Sequence, residues 1–171
     1  MHKIYTYIAG AKRGYCEDAL YADENCAFVI DGATGVSGEK VTDCATDAAW
    51  FSAAHRAYLA GALKGDGEIA EILKTGVQEV AARYARFDGA DKVKDKPSAV
   101  ISVVRERNGY LEYYSLGDTV VVIRKKDGEV LHILDTRLVE LDNINFGRMK
   151  EIAARTGLPI YARIFSKTAR R

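Results

Sequence analysis

Apolar and polar positions change period along the chain, and each change marks an element. Lys3–Ala9 alternates and is rich in Ile and Tyr, which predicts a strand. Cys26–Ile30 is a short apolar run that stops at Asp31-Gly32, as a buried strand does. From Glu39 to Leu63 the chain is Ala-rich, without Pro and without Gly before Gly61. That predicts a helix whose small side chains let it pack close to a sheet. Gly65-Asp66-Gly67 breaks it. Ile69, Leu73, Val77, Val80, Tyr84 and Phe87 then recur at steps of three and four, one face of a second helix.

The period shortens again in the second half. Asp88–Lys96 is polar and closed by Pro97, so it reads as a loop. Ser98–Arg105, Tyr110–Leu116, Thr119–Arg124 and Glu129–Leu134 are rich in Val, Ile and Tyr. Asn108-Gly109 and Asp127-Gly128 separate members of this set. Both dipeptides accept positive φ and suit tight hairpins, so the segment predicts an antiparallel meander. Asn145–Thr156 predicts a short helix with Phe146, Met149 and Ile152 or Ala153 on one side. Gly157 stands at its C′ position and Pro159 follows as a stop. Strands and helices are segregated along the chain, which predicts an α+β fold.

Composition narrows the class. The 171 residues are 48% hydrophobic and 29% charged, the balance of a globular domain rather than a disordered chain. No apolar run is long enough for a bilayer and the N-terminus lacks a signal-peptide layout, so a cytoplasmic protein without a membrane partner is expected. Cys16, Cys26 and Cys44 are unpatterned, which fits neither a disulfide framework nor a zinc knuckle. Net charge is +1, but Gly147–Arg171 carries seven basic residues and one acidic, leaving the first 146 residues at −5. An acidic body suits metal cations. A basic tail suits nucleic acid or an acidic partner, yet a solvated helix face with a frayed end is the plainer reading, and nucleic acid is not expected.

Two acidic clusters carry the candidate chemistry: Arg13-Gly14-Tyr15-Cys16-Glu17-Asp18 and Phe28-Val29-Ile30-Asp31-Gly32-Ala33-Thr34-Gly35. Adjacent side chains of an extended chain point to opposite faces, so Glu17 and Asp18 cannot share one role. One suits a metal and the other an ordered water. Asp31 ends a buried strand and so sits on a rigid element, while Gly32 lets another backbone approach and offers its carbonyl. Carboxylates, a carbonyl and water are the ligands Mg²⁺ or Mn²⁺ prefer. A nearby Arg suits a phosphate dianion. Each piece alone reads as a turn or a surface pair, and Gly117-Asp118 alone reads as a hairpin turn.

In this order the pieces resemble the metal-dependent protein phosphatases of type 2C. Arg13, Glu17-Asp18, Phe28–Gly32, two helices, Pro97-Ser98-Ala99-Val100 and Gly117-Asp118 follow that family's succession, over residues 8 to 142. The resemblance implies an antiparallel β-sandwich flanked by helices, truncated at its C-terminus. It implies residues 1–143 as an incomplete phosphatase-like domain and 144–171 as a C-terminal helix and basic tail. It implies metal-assisted hydrolysis of a phosphoserine or phosphothreonine ester on a protein substrate. Asp31 would bridge two Mg²⁺ or Mn²⁺ ions. Glu17 and the Gly32 carbonyl would help hold one, Asp118 would serve an additional one, Asp18 would order metal-bound water, and Arg13 would bind the phosphate.

The chain also departs from that pattern. The family's later metal-binding aspartates have no clear counterpart among Asp127, Asp135 and Asp142. Asp127-Gly128 lies in a hairpin signal, and Asp142-Asn143 precedes the expected last helix. Ala33 stands where many relatives carry a His or Met. Two dications bring +4 against −2 from Glu17 and Asp31, and Asp118 still leaves a deficit, so weak metal affinity and weak or no activity are expected. Uncovered sheet edges imply self-association. The alternative is an inactive module that binds a phosphorylated or acidic partner. His55, His132 and His2 form no nucleophilic triad or metal pattern, and the glycines from Gly32 to Gly38 form no phosphate-binding loop.

Overall fold

The computed structural model describes residues 6–8, 14–35 and 37–157, with the backbone alone at 138, 139 and 142. Its elements are β1 (Ala19–Ala22), β2 (Cys26–Ala33), α1 (Asp47–Ala62), α2 (Ile69–Tyr84), β3 (Ser98–Arg107), β4 (Tyr110–Leu116), β5 (Val121–Arg124), β6 (Val130–Ile133) and α3 (Arg137–Thr156). The fold is α+β with antiparallel strands, as expected.

β1 to β4 form one sheet in the order β1-β2-β3-β4. In β2 the buried residues Cys26, Phe28, Ile30 and Gly32 alternate with Ala27, Val29, Asp31 and Ala33 on the opposite face. The apolar phase turns Phe28 and Ile30 toward Leu59, Leu63, Ile69 and Ile72 of the α1–α2 layer, and Val103 of β3 joins them in the core. The strand continues three residues past Ile30, because pairing with β3 runs on through Asp31↔Val100 to Ala33↔Ser98. β1 went unforeseen. It is four residues long and pairs Ala19↔Ile30 through Ala22↔Ala27.

Asn108 (φ 53°) and Gly109 (φ 79°) both take positive φ between β3 and β4, as a two-residue type I′ hairpin demands. The expected meander then breaks. Among the described residues β5 and β6 pair only with each other, as a separate two-stranded sheet. Between β4 and β5 stands Gly117, at φ 92°, where a Cβ would collide with Val100.

The helices differ from expectation in instructive ways. α1 begins at Asp47 rather than Glu39, because Thr46 Oγ1 accepts the Ala49 N–H as an N-cap at 3.1 Å. The chain before it folds back, and the Asp47 carboxylate accepts the N–H groups of Val41 and Thr42. On α2 the buried positions are Ile69, Ile72, Gly76, Val80 and Tyr84, while Val77 is exposed. The buried stripe is rotated because Gly76 admits the Tyr58 ring: a Cβ there would stand 2.8 Å from Tyr58 Cδ1. Phe87 lies past the helix end and packs edge-on against Trp50, centroids 5.2 Å apart.

α3 starts at Arg137, eight residues before the expected start at Asn145, so Asp142-Asn143 and the 143/144 division fall inside the helix. Gly157 ends it in the left-handed conformation, its N–H bonded to the Ala153 carbonyl. Of the Lys3–Ala9 segment only residues 6–8 are described, and they form no strand. Pro159 and the basic end lie outside the described residues, and among those described no helix is long and apolar enough to cross a membrane.

Candidate metal centre

The site grows from the end of β2. Asp31 sits opposite Val100 of β3, on the face of the sheet away from Phe28, Ile30 and the helices. A carboxylate at that position is carried by a paired strand and needs little ordering. Gly32, next to it, is buried. A Cβ there would stand 2.6 Å from Ser52 Oγ of α1 and closer still to the backbone carbonyl oxygen of Glu17. The missing side chain is thus what lets the Glu17-Asp18 segment, which leads into β1, close on the strand end.

A third segment arrives through the β4–β5 turn. Gly117 packs its Cα on Val100, the cross-strand partner of Asp31, and this carries Asp118 toward Asp31. Asp135 follows β6, and its carboxyl lies well below the usual carboxylate range, chiefly through hydrogen bonds from the Arg137 side chain, with the Arg137 backbone N–H adding to the effect. Asp135 and Arg137 pair at 2.6 Å.

Charges on all three segments act on Asp31. The Asp31 carboxyl is pushed above the ordinary carboxylate range by burial first, then by the charge of Asp18 and a hydrogen bond shared with it, then by the charges of Asp118 and Glu17. None of the salt bridges among the described residues involves any of these four. Glu17 accepts a hydrogen bond from Thr34 Oγ1, and Cys16 Sγ lies 3.5 Å from Asp18 Oδ2. As the side chains stand, no three His, Cys, Asp or Glu residues among those described come together closely enough to hold one ion. Four like charges resist closer approach until a cation offsets them.

The donor set is carboxylate oxygen with a neighbouring backbone carbonyl. That chemistry fits a hard divalent cation such as Mg²⁺ or Mn²⁺ and does not favour a soft one. Glu17, Asp18 and Asp118 act on the charge of Asp31, and the Gly32 position lies against the Glu17 carbonyl, but the side chains do not close on one point. Arg13 lies outside the described residues. Asp18, expected behind the metal, contributes more to the upward push on Asp31 than Asp118 or Glu17 does. Its inclusion raises the local charge to four carboxylates and narrows the expected deficit.

The remaining candidates have structural roles. Asp127 accepts the Glu129 N–H in the β5–β6 turn at 3.0 Å. His55 is buried on α1 with Nδ1 3.0 Å from the Phe51 carbonyl oxygen, and burial pushes its pKa down. Sequence reasoning gave no role to Thr34, which is 17 positions from Glu17 although it lies in the second cluster, and passed over Asp95, which holds the loop after β2. No periodicity or spacing marks either.

The chain belongs to the protein phosphatase 2C family, whose model matches residues 11–156. Two solved structures share the fold. The serine/threonine phosphatase PstP/Ppp of Mycobacterium tuberculosis aligns with a TM-score of 0.53 at 20% identity, over 74% of this chain and 50% of that one. The PPM Ser-Thr phosphatase MsPP of Mycobacterium smegmatis, solved in complex with cacodylate, aligns with a TM-score of 0.50 at 20% identity, over 74% of this chain and 49% of that one. The chain therefore spans about half the length of these two proteins. No curated protein matches its sequence.

Proposed function

We propose that the Asp31 cluster is the metal centre of a Mg²⁺- or Mn²⁺-dependent serine/threonine phosphatase domain of the cytoplasm. The carrying observation is that Asp31, at the end of a paired strand, is pushed upward by burial and then by the charges of Asp18, Asp118 and Glu17, so acids of three segments (Glu17-Asp18, Asp31 and Asp118) act on one another. Asp31, on its paired strand, is the central ligand. Glu17 and the Gly32 carbonyl flank it on one side and Asp118 on the other. Asp18 accepts hydrogen bonds from water ordered at the site. Arg13 binds the phosphate of a phosphorylated protein. Bound Mg²⁺ or Mn²⁺ supplies Lewis acidity toward water and the phosphoryl oxygens. Asp18 and Asp118 are exposed, so a phosphoryl group on a protein surface can reach them.

A ligand that binds only the folded state raises its melting temperature by mass action. Mn²⁺ is expected to raise the Tm of the wild-type chain, and Asp31→Ala to abolish the rise. Mn²⁺-dependent release of p-nitrophenol from its phosphate ester is expected to disappear with Asp31→Asn. Equal thermal shifts in wild type and Asp31→Ala would end the metal-centre reading.

A second reading draws on two observations: the chain spans about half of its structural neighbours, and no three described side chains close on one ion unaided. In that reading the domain binds a phosphorylated or acidic partner without hydrolysing it. Retention of a phosphoserine peptide with no turnover at saturating Mn²⁺ distinguishes it from the enzyme.

A further inference from the structure

We propose that Thr34 is a positioning residue for the metal centre: its hydroxyl orients the Glu17 carboxylate toward the Asp31 cluster. The inference rests on the metal-centre reading above and adds a residue to it. Thr34 is the first residue after β2, and its Oγ1 donates to Glu17 Oε1. The other carboxylate oxygen, Oε2, has no hydrogen-bond partner among the described residues, so it is the atom left to face a cation.

The placement of Thr34 is fixed from both sides. Before it, Ala33 pairs with Ser98 across β2 and β3. After it, Gly35 packs directly on Asp95, where a Cβ would collide, and the Ser37 N–H donates to Asp95 Oδ2 at 2.8 Å. Asp95 belongs to the loop before β3. The chain around Thr34 is therefore tied to the same strand pair that carries Asp31, and Glu17 inherits that order through one hydroxyl.

A hydroxyl bound to a carboxylate is a charge-assisted hydrogen bond. It selects one rotamer of a long, flexible side chain before the ion arrives, so the ordering need not occur on binding. Hydrogen-bond partners of metal ligands commonly change affinity by about 10- to 100-fold when removed. Thr34 is exposed, so its replacement leaves the core intact.

The test is Mn²⁺ affinity of the full chain, measured by calorimetry, for wild type, Thr34→Ser and Thr34→Val. Val has the shape of Thr without the hydroxyl, and Ser keeps the hydroxyl. Thr34→Val is expected to weaken binding about 10-fold, with Thr34→Ser close to wild type and the metal-free Tm of all three alike. In a Glu17→Gln background, Thr34→Val is expected to add little, because the two residues act through one contact. Wild type that binds Mn²⁺ while Thr34→Val binds equally well would overturn this inference and leave the metal centre standing. A full loss from Thr34→Val in the Glu17→Gln background would also overturn it. Wild type that binds no Mn²⁺ would overturn the metal centre and this inference with it.

Discussion

Asp47 shows how one residue ties several parts of this chain together. It opens α1, accepts the Val41 and Thr42 N–H groups, and takes the Tyr84 hydroxyl of α2 at 2.6 Å. Burial works to raise its pKa, but the Tyr84 hydroxyl and the hydrogen bonds of Thr42 and Val41 outweigh it and leave the carboxyl below its ordinary value. A carboxyl depressed on folding contributes stability that is present above its unfolded pKa and lost as pH falls through the folded one. Tyr84→Phe should therefore cost about 1.5–3 kcal/mol at neutral pH, the worth of a hydrogen bond to a charged group. It should cost less at pH 3, where the carboxyl is closer to protonation. Urea denaturation at both pH values checks this, and an equal loss at both would refute the linkage. Nothing in the sequence pairs Asp47 with Tyr84. Asp31 and Glu17, by contrast, were singled out in the sequence, though only through the ordered set of motifs that resembles the family, since each alone reads as a turn or a surface pair.

At the scale of elements, the β3–β4 hairpin decides how the α1–α2 turn sits on the sheet. Arg105 is 3% exposed and opposes Glu112, which it meets at 2.6 Å. Its remaining donors reach the carbonyls of Leu63, Gly65 and Gly67, which connect α1 to α2. Glu112 is held below its ordinary pKa chiefly by Arg105 and then by Arg107. Arg105→Met should orphan those carbonyls at about 1–3 kcal/mol for each that stays buried and unpaired. The expected readout is a lowered urea midpoint together with faster amide exchange at Gly65 and Gly67. Loss of stability without faster exchange there would show that the turn is held by other contacts. This pairing could be read in advance: counting back from Asn108-Gly109 sets Arg105 against Glu112. β1 could not, since four residues give too short an alternation. The early start of α3 went unread although Leu138, Leu141 and Ile144 already recur at a helical step of three.

Over the whole molecule, α1 and α2 cover one face of the four-stranded sheet, while Asp31, Val29, Tyr113 and Leu111 share the opposite face. Val29 is 48% exposed, Leu111 51% and Tyr113 55%. Among the described residues β1 and β4 are the sheet's edges. Apolar surface beside unpaired backbone drives association of strands and faces. We predict concentration-dependent self-association of this chain, reduced by Leu111→Lys together with Tyr113→Lys on β4. Sedimentation velocity over a tenfold range of concentration measures it, and a single monomeric species throughout would refute it. Both substitutions lie outside the metal centre, so the Mn²⁺ shift should survive them.

Local chemistry in the sequence determined the element types, the two turns that need positive φ, the α+β class and the identity of the acidic residues. These depend on backbone preference and on neighbours a few positions away. Only the tertiary structure decided which acids act on Asp31, Asp18 more than Asp118 or Glu17, and that Thr34 reaches Glu17. Those contacts join residues far apart in the chain, and close packing at Gly32, Gly35 and Gly117 brings them into range.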